Sequence, residues 1–161
     1  MQASQTAAFR LARSVLIFPA MIEACRACGA RNRIPAERLN GRARCGTCLR
    51  TIVPLASPHD IHSVEEFEEL VTWSPLPVLV DFWAPWCPPC KVVAPEVERV
   101  AKMRAGGAVI AKINTDEVPE IASRYQVDAI PTFIVFRQGH EERRLSGAAP
   151  VDKLIELTTA A

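Results

Sequence analysis

From residue 63 onward the apolar positions keep switching period, and each switch marks an element. Ser63-Val64-Glu65-Glu66 has a hydroxyl at the cap position and a carboxylate three residues on, which predicts a helix through about Val71. Pro75 and Pro77 stop anything helical. Val78 to Trp83 is a nearly continuous apolar run with one acid inside it, Asp81. Such a run predicts a strand buried on both faces, hence parallel-sheet material. Pro88-Pro89 stand where a helix begins, because the first N–H groups of a helix need no partner inside it. That helix is expected to reach about Met103, kinked at Pro95 and ended by Gly106-Gly107. Ala108 to Ile113 reads as a second central strand, Val118 to Tyr125 as a short helix, and Thr132 to Phe136 as a third strand. Gln138-Gly139 turns that strand back into an edge partner around Arg143-Arg144-Leu145. Asp152 is expected to cap a last amphipathic helix with Leu154, Ile155 and Leu157 facing inward. The order helix, strand, helix, strand, helix, strand, strand, helix implies an α/β fold: a central mixed sheet flanked by helices.

The first third of the 161-residue chain has a different character. Net charge is +1 overall, but residues 1–60 hold 9 basic against 3 acidic side chains and residues 61–161 hold 10 against 15. All 3 Trp lie between Trp73 and Trp86. Two units are therefore expected: a small one over 21–53 and a larger one over 61–161, joined by a linker over 54–60 that contains Pro54, Ser57 and Pro58. Residues 1–20 carry two arginines, no acid and a short apolar stretch, Val15 to Phe18, broken by Pro19. No clean cleavage site follows, so they read as a disordered extension, with Met21 as an alternative start. No run approaches 18 consecutive apolar residues, so no transmembrane helix is expected.

The six cysteines form three local pairs, each a Cys-x-x-Cys. Local pairs suit chelation or reversible redox chemistry, and both fit a reducing, cytoplasmic compartment. Cys25-x2-Cys28, 16 residues, then Cys45-x2-Cys48 is four-thiolate zinc spacing. Gly29 and Gly46 let backbone N–H groups turn toward the sulfurs, and Arg26, Arg31, Arg42 and Arg44 offset the negative charge of the thiolates. Four protein ligands close the coordination sphere, so one structural zinc ion is expected and His59, His62 and His140 are left as solvated side chains. A redox switch that releases zinc on oxidation is the competing reading. Ala30 to Arg44 is too short and polar to hold a core, so a chelator is expected to unfold residues 25–50 and spare the rest. The basic unit lacks stacking aromatics, so nucleic-acid binding is not expected.

The third pair, Trp86-Cys87-Pro88-Pro89-Cys90, sits at a strand-to-helix junction. A helix N-terminus concentrates positive partial charge and free N–H groups, which favour a thiolate. Cys87, at the exposed tip, is expected to be the nucleophile. Cys90, one turn in, is expected to be the resolving thiol.

These residues carry a resemblance. Asp81-Phe82-Trp83-Ala84-Pro85-Trp86-Cys87-Pro88-Pro89-Cys90-Lys91 resembles the active-site run of thioredoxins, and Ile130-Pro131-Thr132 resembles their cis-proline loop. Ala111-Lys112-Ile113-Asn114 is similar to the family's central strand, and Ser146-Gly147-Ala148 to its last substrate-contacting loop. With the four-cysteine zinc ribbon in front, the resemblance narrows to the zinc-containing bacterial thioredoxin 2 type. It implies a thioredoxin fold and a protein-disulfide reductase that works through a redox-active Cys87–Cys90 disulfide, without an organic cofactor. It implies Asp81 as a buried proton acceptor for Cys90 and Lys112 as its counter-charge. It implies Pro131 as a backbone edge for the client chain, and Trp86, Ile130 and Gly147 as borders of an apolar docking surface. Implied partners are client proteins with disulfides and an NADPH-dependent thioredoxin reductase, acting on a monomer. The usual Gly-Pro between the cysteines is Pro88-Pro89 here, which removes an N–H at the helix start. Two alternatives stand beside this reading: a disulfide oxidase or isomerase, and a zinc-dependent, redox-switched chaperone or interaction module.

Overall fold

The computed structural model describes residues 21–41, 43–52 and 56–159. The extension expected over 1–20, together with Arg42 and Pro54, lies outside these residues. A two-stranded antiparallel sheet pairs β1 (Met21–Ala24) with β2 (Arg31–Ile34), Met21 opposite Ile34. A single 3-10 turn, Ala36–Arg38, follows. The second sheet has five strands: β3 (His59–Ile61), β4 (Val78–Trp83), β5 (Val109–Asn114), β6 (Thr132–Arg137) and β7 (His140–Ser146). Their order is β3-β5-β4-β6-β7. The first three are parallel to one another, and β6 and β7 are antiparallel, so the sheet is mixed as expected. Helices α1 (Val64–Trp73), α2 (Pro88–Met103), α3 (Pro119–Arg124) and α4 (Val151–Thr158) complete the fold.

Central placement explains the unbroken apolar run of β4. Val78, Val80 and Phe82 pack with Phe67, Leu70 and Val71 of α1 and Ile121 of α3. Leu79, on the opposite face, packs with Val93, Val97 and Val100 of α2 and Leu154 of α4. The β6–β7 hairpin turns through Gln138 (φ 51°) and Gly139 (φ 80°). Two successive residues of positive φ match the twist of the strands they join.

Three features differ from the sequence reading. Strand β3 was not anticipated, because three residues reading His-Asp-Ile carry no alternating pattern. Asp152 lies inside the first turn of α4 and does not cap it; the free Val151 N–H is taken by the Glu96 carboxylate of α2 at 3.1 Å. Ser63 Oγ accepts the Glu66 N–H as expected, but the Glu66 carboxylate reaches past Ser63 to the His62 N–H (2.8 Å) and to His59 Nε2 (2.8 Å). His59 is therefore bound to a carboxylate and not simply solvated.

The small N-terminal unit also departs from expectation. Its apolar side chains Met21, Ile34, Ala36, Leu39 and Ile52 are buried, and they share one cluster with Phe67, Leu70 and Val71 of α1. The segment lacks an independent core, but it borrows one by covering α1. A chelator that dismantles it is therefore expected to uncover that helix as well.

Candidate redox and metal sites

The carboxyl end of β4 delivers the chain directly into α2, and Cys87 occupies the cap position between them. Cys87 and Cys90 are joined in a disulfide, with Cα atoms 5.3 Å apart. Pro88 and Pro89 have no N–H, so the first N–H that the helix offers is that of Cys90, and it donates to Cys87 Sγ at 3.2 Å. This fits the expected helix-terminal stabilisation of the sulfur, reached with a single donor.

Burial of Cys87 corrects the exposed tip read from the sequence. The residue is only 2% exposed, packed with Ala84, Cys90, Trp83 and Ile130, and its Sγ lies 3.7 Å from the Ile130 carbonyl oxygen. The physical reason is that the chain turns in at Ala84, so the disulfide sits under a rim of exposed Pro85, Trp86, Pro88 and Pro89.

The other anticipated residues converge on the same end of the sheet. The Ile130–Pro131 peptide bond is cis, and the Pro131 carbonyl accepts the N–H of Gly147 at 2.8 Å. Thr132 Oγ1 ties this loop to Ala129 O (2.7 Å) and Ser146 Oγ (3.1 Å). Trp86 is 65% exposed, and its Nε1–H donates to both oxygens of Asp116, at 3.0 and 3.3 Å. Sequence reasoning missed Asp116. The available signal was its position just past β5, because neighbouring parallel strands end on the same side and Trp83 is aligned with Asn114.

Asp81 lies in the middle of β4, buried, with Oδ1 lacking a hydrogen-bond partner. Burial pushes its carboxyl up to about 7, against the opposing pull of Lys112. Lys112 is aligned with Asp81 on β5, but its Nζ sits over the Trp83 ring, 4.5 Å from the centroid, and makes no ion pair with Asp81. Its influence on Asp81 is exerted through space.

Cys25, Cys28, Cys45 and Cys48 form a second, separate site. Their four sulfurs lie within 4.8 Å of one another, with Cys25–Cys48 and Cys28–Cys45 both at 3.6 Å. Four sulfurs each about 2.3 Å from one tetrahedral ion are about 3.8 Å apart, so the cluster fits zinc. The two Cys-x-x-Cys loops have matching backbone bonds: Cys25 N–H to Ala30 O at 2.8 Å, and Cys45 N–H to Arg50 O at 2.9 Å. Backbone N–H groups of Cys48 and Thr47 bring the Cys45 thiol down to about 6, and those of Ala27 and Cys28 lower Cys25. The Ala30 N–H favours the Cys28 thiolate too, but the sulfurs of Cys48 and Cys45 outweigh it and push Cys28 up to about 12. Four crowded sulfurs resist ionising together, and a divalent cation removes that resistance.

Comparison with known proteins matches both parts of the chain to described families. The family model described as Thioredoxin matches residues 59–160, and that described as Thioredoxin 2, N-terminal, a zinc ribbon, matches residues 24–49. Thioredoxin C-3 of Corynebacterium nephridii is 40% identical over 128 residues, covering 80% of this chain and 86% of that protein. Thioredoxin 1 of a Nostoc species is 46% identical over 84 residues, covering 52% and 78%. Among solved structures, a mutant thioredoxin of Halobacterium salinarum superposes with a TM-score of 0.61 at 31% identity, covering 68% of this chain and 98% of that one. The thioredoxin of Malassezia sympodialis gives 0.59 at 34%, covering 68% and 95%. The chain, matched by the thioredoxin model over well more than half its length and preceded by the matching ribbon, belongs to the thioredoxin family of protein-disulfide reductases.

Proposed function

We propose that this chain reduces disulfides of client proteins through Cys87 and Cys90, which its structure holds in the oxidised state. In the reduced protein the Cys87 thiolate attacks one sulfur of a client disulfide. The client S–S bond breaks, its other sulfur leaves as a thiolate and takes a proton, and a mixed disulfide remains. Cys90 then loses its proton to Asp81 and attacks the Cys87 sulfur. This releases the second client thiol and closes the Cys87–Cys90 bond. Two electrons pass to the client, and thiols delivered by an NADPH-dependent thioredoxin reductase return them. The observation that carries this reading is the placement of Cys87 Sγ at the head of α2, accepting the Cys90 N–H.

Asp81 suits the proton-accepting role because its buried carboxyl titrates near neutrality, with Lys112 as the nearby charge. Trp86, Ile130, Pro131 and Gly147 border the disulfide and form the surface that receives an extended client chain. One zinc ion held by Cys25, Cys28, Cys45 and Cys48 has a structural role, and no organic cofactor takes part. Among the described residues no helix is long and apolar enough to cross a membrane. We place the protein in the cytoplasm as a monomer. Insulin reduction tests the reading. Cys87→Ser is expected to abolish turnover, and Cys90→Ser is expected to trap client as a mixed disulfide. Full turnover by Cys87→Ser would overturn it.

A further inference from the structure

We propose that Trp83 is a positioning residue: it holds the Lys112 ammonium on its indole face, away from Asp81, and so decides how readily Asp81 takes up a proton. The geometry comes from the sheet. Asp81 and Trp83 are two residues apart on β4, so they share a face. Lys112 is aligned with Asp81 on the adjacent parallel strand β5, which puts it on the same face. Its Nζ lies 4.5 Å from the Trp83 centroid, and Asp81 Oδ1 beside it is buried with no partner. The lysine is aligned with this carboxyl on the neighbouring strand, yet its ammonium rests on the indole.

The indole supplies the competing attraction. An ammonium over an aromatic face is attracted by the negative charge of the ring's π cloud. Moving it against Asp81 takes two charges out of water, a desolvation cost that their mutual attraction must first offset. Lys112 is half-buried, so over Trp83 it keeps part of its hydration. On the other neighbouring strand, β6 aligns the uncharged Phe133 with Asp81, and the Cys87–Cys90 pair of α2 is joined in a disulfide that does not titrate. Lys112 is the charged group acting on it. Without the indole, the pairing of Lys112 with Asp81 is the remaining attraction.

The functional consequence rests on the proposed role of Asp81, but the test does not. In the full zinc-loaded chain, the Asp81 carboxyl is titrated by carbon-13 NMR. Trp83→Leu is expected to lower its midpoint by about one pH unit, as an opposite charge closes in. Trp83→Phe, which keeps an aromatic face, is expected to restore most of the original value. In a Lys112→Met background, Trp83→Leu is expected to leave the midpoint unmoved. An equal shift in both backgrounds would mean that Trp83 acts through burial alone, and no shift or an upward one in the native background would equally overturn the proposal. If the leucine variant fails to fold, the unaltered chain decides. Indole ring current is expected to move the Lys112 ε-methylene protons upfield, and ordinary shifts would sink the idea. Separately, insulin reduction by Asp81→Asn at an undiminished rate would remove the proton-accepting role of Asp81 and leave these titration results standing.

Discussion

At the scale of a single residue, Asp81 is the position where stability and chemistry oppose each other. Its carboxyl keeps its proton up to about 7 in the folded chain, against an ordinary 3.8. Between those values the native state binds more protons than the unfolded one, so stability falls as pH rises from about 4 to 7 and is level above. Asp81→Asn is expected to remove that slope and to exceed the parent in stability by on the order of 4 kcal/mol at pH 8, with little difference at pH 4. Urea unfolding of both proteins at the two pH values checks this. A charge kept at such a cost in mid-strand is one that the fold alone does not require. The sequence showed Asp81 as a lone acid in an apolar run, which made it legible. The placement of Lys112 over Trp83 was not legible, because strand alignment and side-chain direction are settled only when β4 and β5 pair.

At the scale of elements, α2 has two jobs: its first turn presents the disulfide and its body packs beneath the sheet. It also fixes α4 through Glu96, which accepts the Val151 N–H. Glu96→Ala is expected to cost about 1 kcal/mol and to fray the first turn of α4, read by denaturant unfolding and amide exchange. The sequence favoured Asp152 for this job because caps are sought locally; a cap delivered from a residue 55 positions away leaves no local trace. Strands β4 and β6 were legible through strong burial patterns. The three-residue edge β3 was not, since its place is set by pairing with β5 and by the grip of Glu66 on His59. The burial of Cys87 escaped sequence reading for a similar reason, because the Ile130 loop that closes over it lies 43 residues downstream.

At the scale of the whole molecule, the ribbon and the redox unit share an apolar cluster across α1. Metal bound by the folded ribbon therefore stabilises more than the ribbon. Stripping it with a strong chelator is expected to lower the thermal midpoint of the redox unit by roughly 5 °C or more, and to expose the amides of α1 to exchange. An unchanged midpoint, followed by Trp83 or Trp86 fluorescence, would show the ribbon to be a passenger. The two metal loops share a backbone pattern but differ at the residue after the second cysteine: where the first has Gly29 at φ 74°, the second has Leu49 at φ 60°. A side chain in the left-handed region costs about 1–2 kcal/mol, and only the second loop bears it. Relieving that cost with Leu49→Gly is therefore expected to stabilise the second loop and to slow zinc release several-fold when timed with a chromophoric chelator.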